Sequence, residues 1–401
     1  MPELDWSALR AQGEEKLRFI RQLDGFYVFA HANASVMTRM QHKLLSASYR
    51  DDPRFLGYCS LGAACGPTRE ADAQWPGPGQ YLSLPEVLQK QMRGGGRVGL
   101  LTFCATREEQ VLLHRFRAWT FDYMAYLSAR NLPVLYTPLA EERDITLTHL
   151  PRYLALVEGM DVRSQRAMRA RLAALASMDR HLLQKEAVPL AHMYFNGLNA
   201  DDSFVPRARE TYIDVGATDG AELLRLASLV EDPEQSRFWG VEPNSTDFMR
   251  LKQLRFFLPL RACRTFASAR DGGTVDFYTD PILPDASRMV PGGQENAWRQ
   301  ANAAHIEAVP CRTLDTLVPD PATLLKIDVE GGELPVLQGA LGHVNRLDCR
   351  CAVAVYHYPK DVLEVCEFFQ DLGRERLRLR QHDSGLWDLI CYVDDPSSAP
   401  A

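Results

Sequence analysis

Apolar and polar positions change period several times along the chain, and the changes mark two stretches in which strands alternate with helices. From Met1 to Leu23, apolar residues fall at helical spacing among Glu3, Asp5, Arg10, Glu14, Glu15, Lys16 and Arg18, which predicts an amphipathic helix and not a signal peptide. Gly25 to Ala30 reads as a strand, Val36 to Leu45 as a helix, and the Pro- and Gly-rich stretch from Pro67 to Gly79 as an exposed loop. Gly94-Gly95-Gly96 breaks the chain before a strand at Val98 to Phe103; no Lys-Ser or Lys-Thr follows, so it is not read as a phosphate loop. Thr106 to Arg130 carries Val111, Leu112, Phe116, Trp119, Phe121, Tyr123 and Leu127 at helical spacing, and Leu132 to Tyr136 reads as the next strand. Strand, helix and strand predict a βαβ unit, with the aromatic helix read as core. Residues 140 to 190 read as mostly helical, with Arg163, Arg166, Arg169 and Arg171 as a basic, solvated face. His192 to Phe195, followed by Asp201 and Asp202, reads as a hinge.

The second half is more regular. Tyr212, Ile213 and Val215 form a short β-rich run, Gly216 and Gly220 supply a turn, and a helix follows from Ala221 to Val230. Phe238 to Val241 is the second strand and Asn244 to Leu254 the next helix, capped by Asn244 or Ser245. Arg264 to Ser268 is the expected third strand. Asp271-Gly272-Gly273 and Thr274 to Tyr278 then read as a turn and a strand, an insertion into a minimal doubly wound fold. Pro281 to Asn302 reads as a long loop over the strand ends. Leu324 to Val329 and Cys351 to His357 are buried-strand candidates, and Leu377 to His382 with Asp388 to Tyr392 closes the sheet.

Composition narrows the function classes. With 401 residues and 46% hydrophobic content the chain can build two or three cores. A formal charge of -7 argues against a nucleic-acid partner, whose phosphates need clustered Lys and Arg. No apolar run reaches the roughly 18 residues of a membrane span, and the expected location is cytoplasmic. Nine scattered cysteines without a Cys-x-x-Cys pair read as reduced thiols and give no zinc site, while the carboxylate cluster described below leaves a divalent metal open.

The chemistry concentrates at the strand ends. In the loop after the first strand, Gly216, Ala217 and Gly220 allow close backbone approach, while Asp214 and Asp219 would repel a pyrophosphate. The spacing is Gly-x-x-x-Gly and not the Gly-x-Gly-x-x-Gly of dinucleotide sites. Glu242, followed by Pro243 and Asn244, ends the second strand, where an acidic side chain accepts hydrogen bonds from ribose hydroxyls. A phosphate-free adenosine with a cationic part is the implied ligand. Lys326, Asp328 and Glu330 lie at alternate positions of one strand and are read as sharing a face; three charges on a buried strand are costly without a role. His357, at the tip of the neighbouring strand, is placed to take a hydroxyl proton near neutral pH. His382 is the weaker candidate.

Four ordered segments, Asp214-Val-Gly-Ala-Thr-Asp-Gly220, Val241-Glu-Pro-Asn244, Thr313-Leu-Asp315 and Leu325-Lys-Ile-Asp-Val-Glu-Gly331, resemble the FkbM-type family of S-adenosylmethionine-dependent methyltransferases. The resemblance spans roughly residues 205 to 395 and leaves the first half unassigned. It implies a doubly wound, Rossmann-like α/β methyltransferase sheet, preceded by an α/β or mostly helical N-terminal domain. The expected divisions are 1–95, 96–200 with a hinge, 201–395 and a tail at 396–401. It further implies S-adenosyl-L-methionine as cofactor, held by Asp214, Gly216, Ala217, Asp219, Gly220, Glu242, Pro243 and Asn244, with Ala267 and Ser268 beside the adenine. Lys326, Asp328, Glu330 and His357 are the expected catalytic group, acting on a small-molecule or glycan hydroxyl; the N-terminal half is a candidate oligomer surface. Competing expectations are an NAD-dependent oxidoreductase and a scaffold that keeps the fold without activity.

Overall fold

The computed structural model describes residues 4–29, 46, 48–60, 80–93, 96–102, 113, 115, 119–281, 287–290, 296–382 and 385–394. The expected helix at Val36 to Leu45, the loop at Pro67 to Gly79, the glycine pair 94–95, most of the expected helix from Thr106 and the tail at 396–401 lie outside the described residues. The chain divides into two compact units, Met1–Leu150 with Arg169–Lys185, and Pro151–Met168 with Glu186–Ala401.

The first unit is built on a five-stranded parallel sheet. Its strands are β1 (Gly25–Phe29), β2 (Phe55–Ser60), β3 (Gln80–Ser83), β4 (Val98–Thr102) and β5 (Thr120–Asp122), in the order β3-β2-β1-β4-β5. Because β1 pairs in parallel with β4, Gly25 opposite Val98, the expected division at residue 95 does not separate domains. The amphipathic helix appears as Trp6–Arg21, with the Asp5 carboxylate accepting the Ala8 N–H at 2.9 Å as its cap. Two expectations fail here. Leu132 to Tyr136 forms no strand, only an isolated bridge between Pro133 and Pro138; proline lacks the N–H that a ladder requires. The strand instead precedes it, at Thr120–Asp122, where Asp122 caps the helix Tyr123–Arg130 and so ends the strand.

The expected basic face is also not free. Arg163 pairs with Asp202 at 2.7 Å, Arg166 with Glu186 at 2.9 Å, and Arg171 with Glu142 at 3.7 Å. The acidic partners are distant in sequence, so the arginines read alone overstate the charge.

The second unit carries a seven-stranded sheet. Its strands are β6 (Thr211–Val215), β7 (Arg237–Val241), β8 (Leu260–Cys263), β13 (Leu324–Ile327), β14 (Arg350–Ala354), β15 (Leu377–Gln381) and β16 (Leu389–Val393), ordered β15-β16-β14-β13-β6-β7-β8. Every pairing is parallel except those of β16 with β14 and β15. Sequential strands run from β6 outward to β8, and the chain then returns to place β13 on the other side of β6. That reversal opens a crevice at the carboxyl ends of β6 and β13. Tyr212, Leu223, Leu226, Phe238, Leu251, Leu324 and Ile390 are buried in one core cluster between sheet and helices.

A smaller sheet, β11-β10-β12-β9, is inserted between β8 and β13: β9 (Phe266–Ala267), β10 (Thr274–Tyr278), β11 (Arg288–Met289) and β12 (Ile306–Arg312). The third strand of the main sheet is therefore Leu260–Cys263, not Arg264 to Ser268. The Thr265 hydroxyl donates to the Pro310 carbonyl at 2.7 Å, and Phe266 and Ala267 pair with Cys311 and Arg312, which draws the segment out of the main sheet. Of the expected loop from Pro281 to Asn302, residues 288–289 form β11 and Asn296–Ala301 a helix; 282–286 and 291–295 lie outside the described residues.

Candidate functional site

The loop between β6 and the helix Ala221–Leu229 turns because Gly216 and Gly220 adopt left-handed backbone, φ 76° and 90°. Gly216 has a second constraint: a Cβ there would lie 1.9 Å from the carbonyl oxygen of Asp328. The Gly216 and Ala217 N–H groups donate to the Val241 carbonyl at 3.0 and 3.2 Å, which binds the loop to the end of β7. Glu242, directly after β7, completes the clamp. One of its carboxylate oxygens accepts the Thr218 N–H at 2.9 Å and the other the Asn244 N–H at 2.7 Å. Burial pushes its carboxyl up to about 7, against the pull of these two donors.

These elements enclose a cavity of about 590 Å³, lined by the loop, the end of β7, Phe266, Ala267, Lys326 and the turn after β13. The volume falls within the range of small-ligand sites. Six acidic side chains line it, Asp219, Glu222, Glu242, Asp247, Asp328 and Glu330, against two basic ones, Lys326 and Arg250. Both cations are paired, Lys326 with Asp214 at 3.0 Å and Arg250 with Asp247 at 3.1 Å. A phosphate would meet net negative charge here, whereas a ligand with a cationic part would be attracted.

Asp214 and Lys326 face each other in register across β6 and β13. Both are buried, and Lys326 also donates to the Gly216 carbonyl at 2.8 Å. Burial alone would lower the Lys326 pKa, but Asp214 and Asp328 outweigh it and hold the ammonium charged. Asp214 does not line the cavity; it lies beneath the loop and anchors Lys326.

Lys326, Asp328 and Glu330 do not share a strand face as expected. β13 ends at Ile327, and Glu330 and Gly331 take positive φ, 59° and 95°, so the chain turns at once. Glu333 fixes the turn, accepting the Val329 and Gly331 N–H groups at 3.0 and 3.2 Å. The turn still gathers the acids. His357 Nε2 lies 3.4 Å from Asp328 Oδ1 and 3.4 Å from Glu330 Oε2, while Nδ1 lies 3.0 Å from Glu333 Oε1. Burial alone would lower the imidazole pKa, but Glu333, Glu330 and Asp328 together raise it well above the ordinary value. The expected neutral base is thus a buried imidazolium caged by carboxylates, and it does not line the cavity. β14 ends at Ala354, short of the expected His357.

Of the expected cofactor residues, Gly216, Ala217, Asp219, Glu242, Pro243 and Ala267 line the cavity, while Gly220 and Ser268 do not. Asn244 caps the helix Ser245–Leu251, accepting the Thr246 N–H at 2.9 Å. His382 lies elsewhere, 2.8 Å from the Tyr392 hydroxyl, and burial pushes its pKa down to about 3. Sequence reasoning missed Tyr194. It takes φ 65°, its hydroxyl donates to Asp328 Oδ2 at 2.5 Å, and Lys326 sits 5.4 Å from its ring centroid. Nothing local to the expected hinge signals that role; the partners are more than a hundred residues away.

Residues 214–382 match the family model of the Methyltransferase FkbM domain. A crystal structure of methyltransferase FkbM from Methylobacillus flagellatus KT superposes with a TM-score of 0.68 at 15% identity, covering 96% of this chain and 98% of that one, which establishes a shared fold. Far weaker likenesses are to a SAM-dependent methyltransferase from Aquifex aeolicus (TM-score 0.27, 12% identity, 53% and 97% coverage) and to Aeropyrum pernix fibrillarin with natively bound S-adenosyl-L-methionine (TM-score 0.29, 12% identity, 47% and 68% coverage). No curated protein matches the chain significantly. Among the described residues, no helix is long and apolar enough to cross a membrane. Residues 214–382 of the second unit thus match the FkbM methyltransferase domain, and the unit has a Rossmann-like α/β fold.

Proposed function

We propose that the cavity of the second unit binds S-adenosyl-L-methionine and that the protein methylates a hydroxyl of a sugar, on a glycan or a glycosylated natural product. The observation that carries this reading is the acid-lined crevice at the strand-order reversal, with Glu242 at the tip of β7 and no unpaired cation among its lining residues. When bound, the sulfonium supplies a methyl already activated for displacement, so alignment and proton removal are what remain for the protein.

Glu242 would accept the ribose hydroxyls, and the Gly216–Gly220 loop with Asp219 would hold the amino-acid end. Thr265, Phe266 and Ala267 form the apolar wall suited to a purine. Asp328 and Glu330 face the cavity from the turn after β13, where an acceptor would meet them. As the acceptor oxygen bonds to the methyl carbon and the carbon–sulfur bond breaks, the hydroxyl proton would pass to one of these carboxylates. Tyr194 orients Asp328, and the Lys326–Asp214 pair fixes the loop behind both.

The test is a separation of binding from turnover, using radiolabelled donor with a panel of sugar acceptors. Glu242→Ala is expected to weaken donor affinity about 10-fold or more, as for loss of a charged hydrogen-bond acceptor. Glu330→Gln is expected to lower turnover with donor affinity close to wild type. Because the Glu242 carboxyl is raised to about 7, it is ionised above that pH and protonated below it. Donor affinity should therefore fall as pH drops through 7, and this dependence should vanish in Glu242→Ala. Equal donor affinity in both variants would remove the basis for these roles.

A further inference from the structure

The group around His357 has a geometry that proton transfer alone does not require. Two carboxylates and one ring nitrogen converge from separate turns: Asp328 Oδ1 and Glu330 Oε2 each lie 3.4 Å from His357 Nε2, and donor atoms of all three lie within 4.8 Å of one another. Ligands held about 2.1 Å from a common ion are separated by roughly 3.0 Å in an octahedron and roughly 3.4 Å in a tetrahedron, so the two spacings from His357 Nε2 suit a common ion. Asp328 Oδ1 is sealed from solvent without a hydrogen-bond donor, although its other oxygen accepts from Tyr194 at 2.5 Å.

The surroundings orient this set. Nδ1 of His357 faces the buried Glu333 carboxylate at 3.0 Å, and the same Glu333 oxygen accepts the Val329 and Gly331 N–H groups. Such a carboxylate holds the Nδ1 proton and directs Nε2 outward, as it does behind metal-bound histidines, and an ion at Nε2 would take the place of the proton that the imidazolium carries there. A second group, Glu333, His357 and Asp361, meets on the Nδ1 side. It is entirely buried and its Glu333 oxygen is already engaged by backbone, so it lacks an open coordination position. Asp328 and Glu330, in contrast, line the cavity.

We infer that Asp328, Glu330 and His357 Nε2 form a facial site for one divalent transition ion at the acceptor end of the cavity. The mixed oxygen and imidazole set suits a first-row transition ion better than Mg²⁺ or Ca²⁺, and Mn²⁺ serves as its paramagnetic probe. Three protein ligands leave positions open toward the cavity. An acceptor hydroxyl bound there would be acidified, its proton passing to the Glu330 carboxylate oxygen that does not hold the ion, before its oxygen takes the methyl. This role for the ion rests on the methyl-transfer reading; the binding site itself does not.

The experiment is titration of chelator-treated full-length protein with Mn²⁺ in the absence of donor and acceptor, followed by electron paramagnetic resonance of the free ion. One Mn²⁺ per chain is expected, with excess Mg²⁺ or Ca²⁺ displacing it poorly. His357→Gln and Glu330→Gln should weaken binding at least 10-fold. Glu333→Gln, which keeps all three ligands, should weaken it about 10- to 100-fold through ring orientation. Glu330 is partly exposed, so its variant is expected to fold, which circular dichroism and donor calorimetry check. No stoichiometric binding to the wild type, or unchanged affinity in both Glu330→Gln and His357→Gln, overturns the site. Mn²⁺ binding in a protein that ignores the donor would leave the ion site standing and refute only the methyl-transfer reading.

Discussion

Lys326→Met is expected to destabilise the second unit by about 3–5 kcal/mol at pH 8, the range for breaking a buried ion pair by removing one partner. The ammonium lies 3.0 Å from Asp214 and both side chains are almost fully buried, so no water replaces the lost charge. Methionine fills a similar volume, which leaves the uncompensated carboxylate as the main cost. The pH dependence separates charge from packing. Burial already raises the Asp214 carboxyl, and losing Lys326 removes the largest opposing influence. A carboxyl whose folded-state pKa exceeds its unfolded value binds its proton more tightly when folded, so it costs nothing below the unfolded pKa and destabilises progressively as pH rises. The gap between variant and wild type should therefore narrow at pH 5.5 relative to pH 8 in urea unfolding curves. An equal gap at both values would assign the loss to packing.

Gly216→Ala is expected to cost about 3 kcal/mol or more and to abolish donor binding. Two effects add. The left-handed backbone at φ 76° penalises any side chain, and a Cβ would stand 1.9 Å from the Asp328 carbonyl oxygen, a backbone atom that moves only if the turn after β13 moves. Gly272 provides the control. Its φ of 91° imposes the same backbone penalty, but a Cβ there meets nothing within 4 Å. Gly272→Ala should lose about 1 kcal/mol and keep donor affinity. Similar losses in the two variants would show that the contact with Asp328 is unimportant.

The second unit was legible because its signals are local. The run Tyr212 to Val215, the glycines at 216 and 220, and Glu242 ending the next strand each depend on a few neighbouring residues, and they came out as β6, its loop and the end of β7. What could not be read depends on contacts distant in sequence. The early end of β13 is set by the Glu333 side chain folding back onto Val329 and Gly331, and the charge on His357 by three acids gathered on that turn. Tyr194 reaches Asp328 across 134 positions, and Thr265 joins Pro310 across 45, which displaced the expected third strand. In the first unit, β2 and β3 lack a clear alternation, and β5 is only three residues long, too short for periodicity to reveal.

The acid-lined crevice is the feature on which the donor assignment depends, and calorimetry of the full-length protein with S-adenosylhomocysteine and, separately, with NAD⁺ tests it most directly. Saturable one-to-one binding of S-adenosylhomocysteine in the micromolar range, with no heat from NAD⁺, is the predicted result. Binding of NAD⁺ with no response to S-adenosylhomocysteine would contradict it.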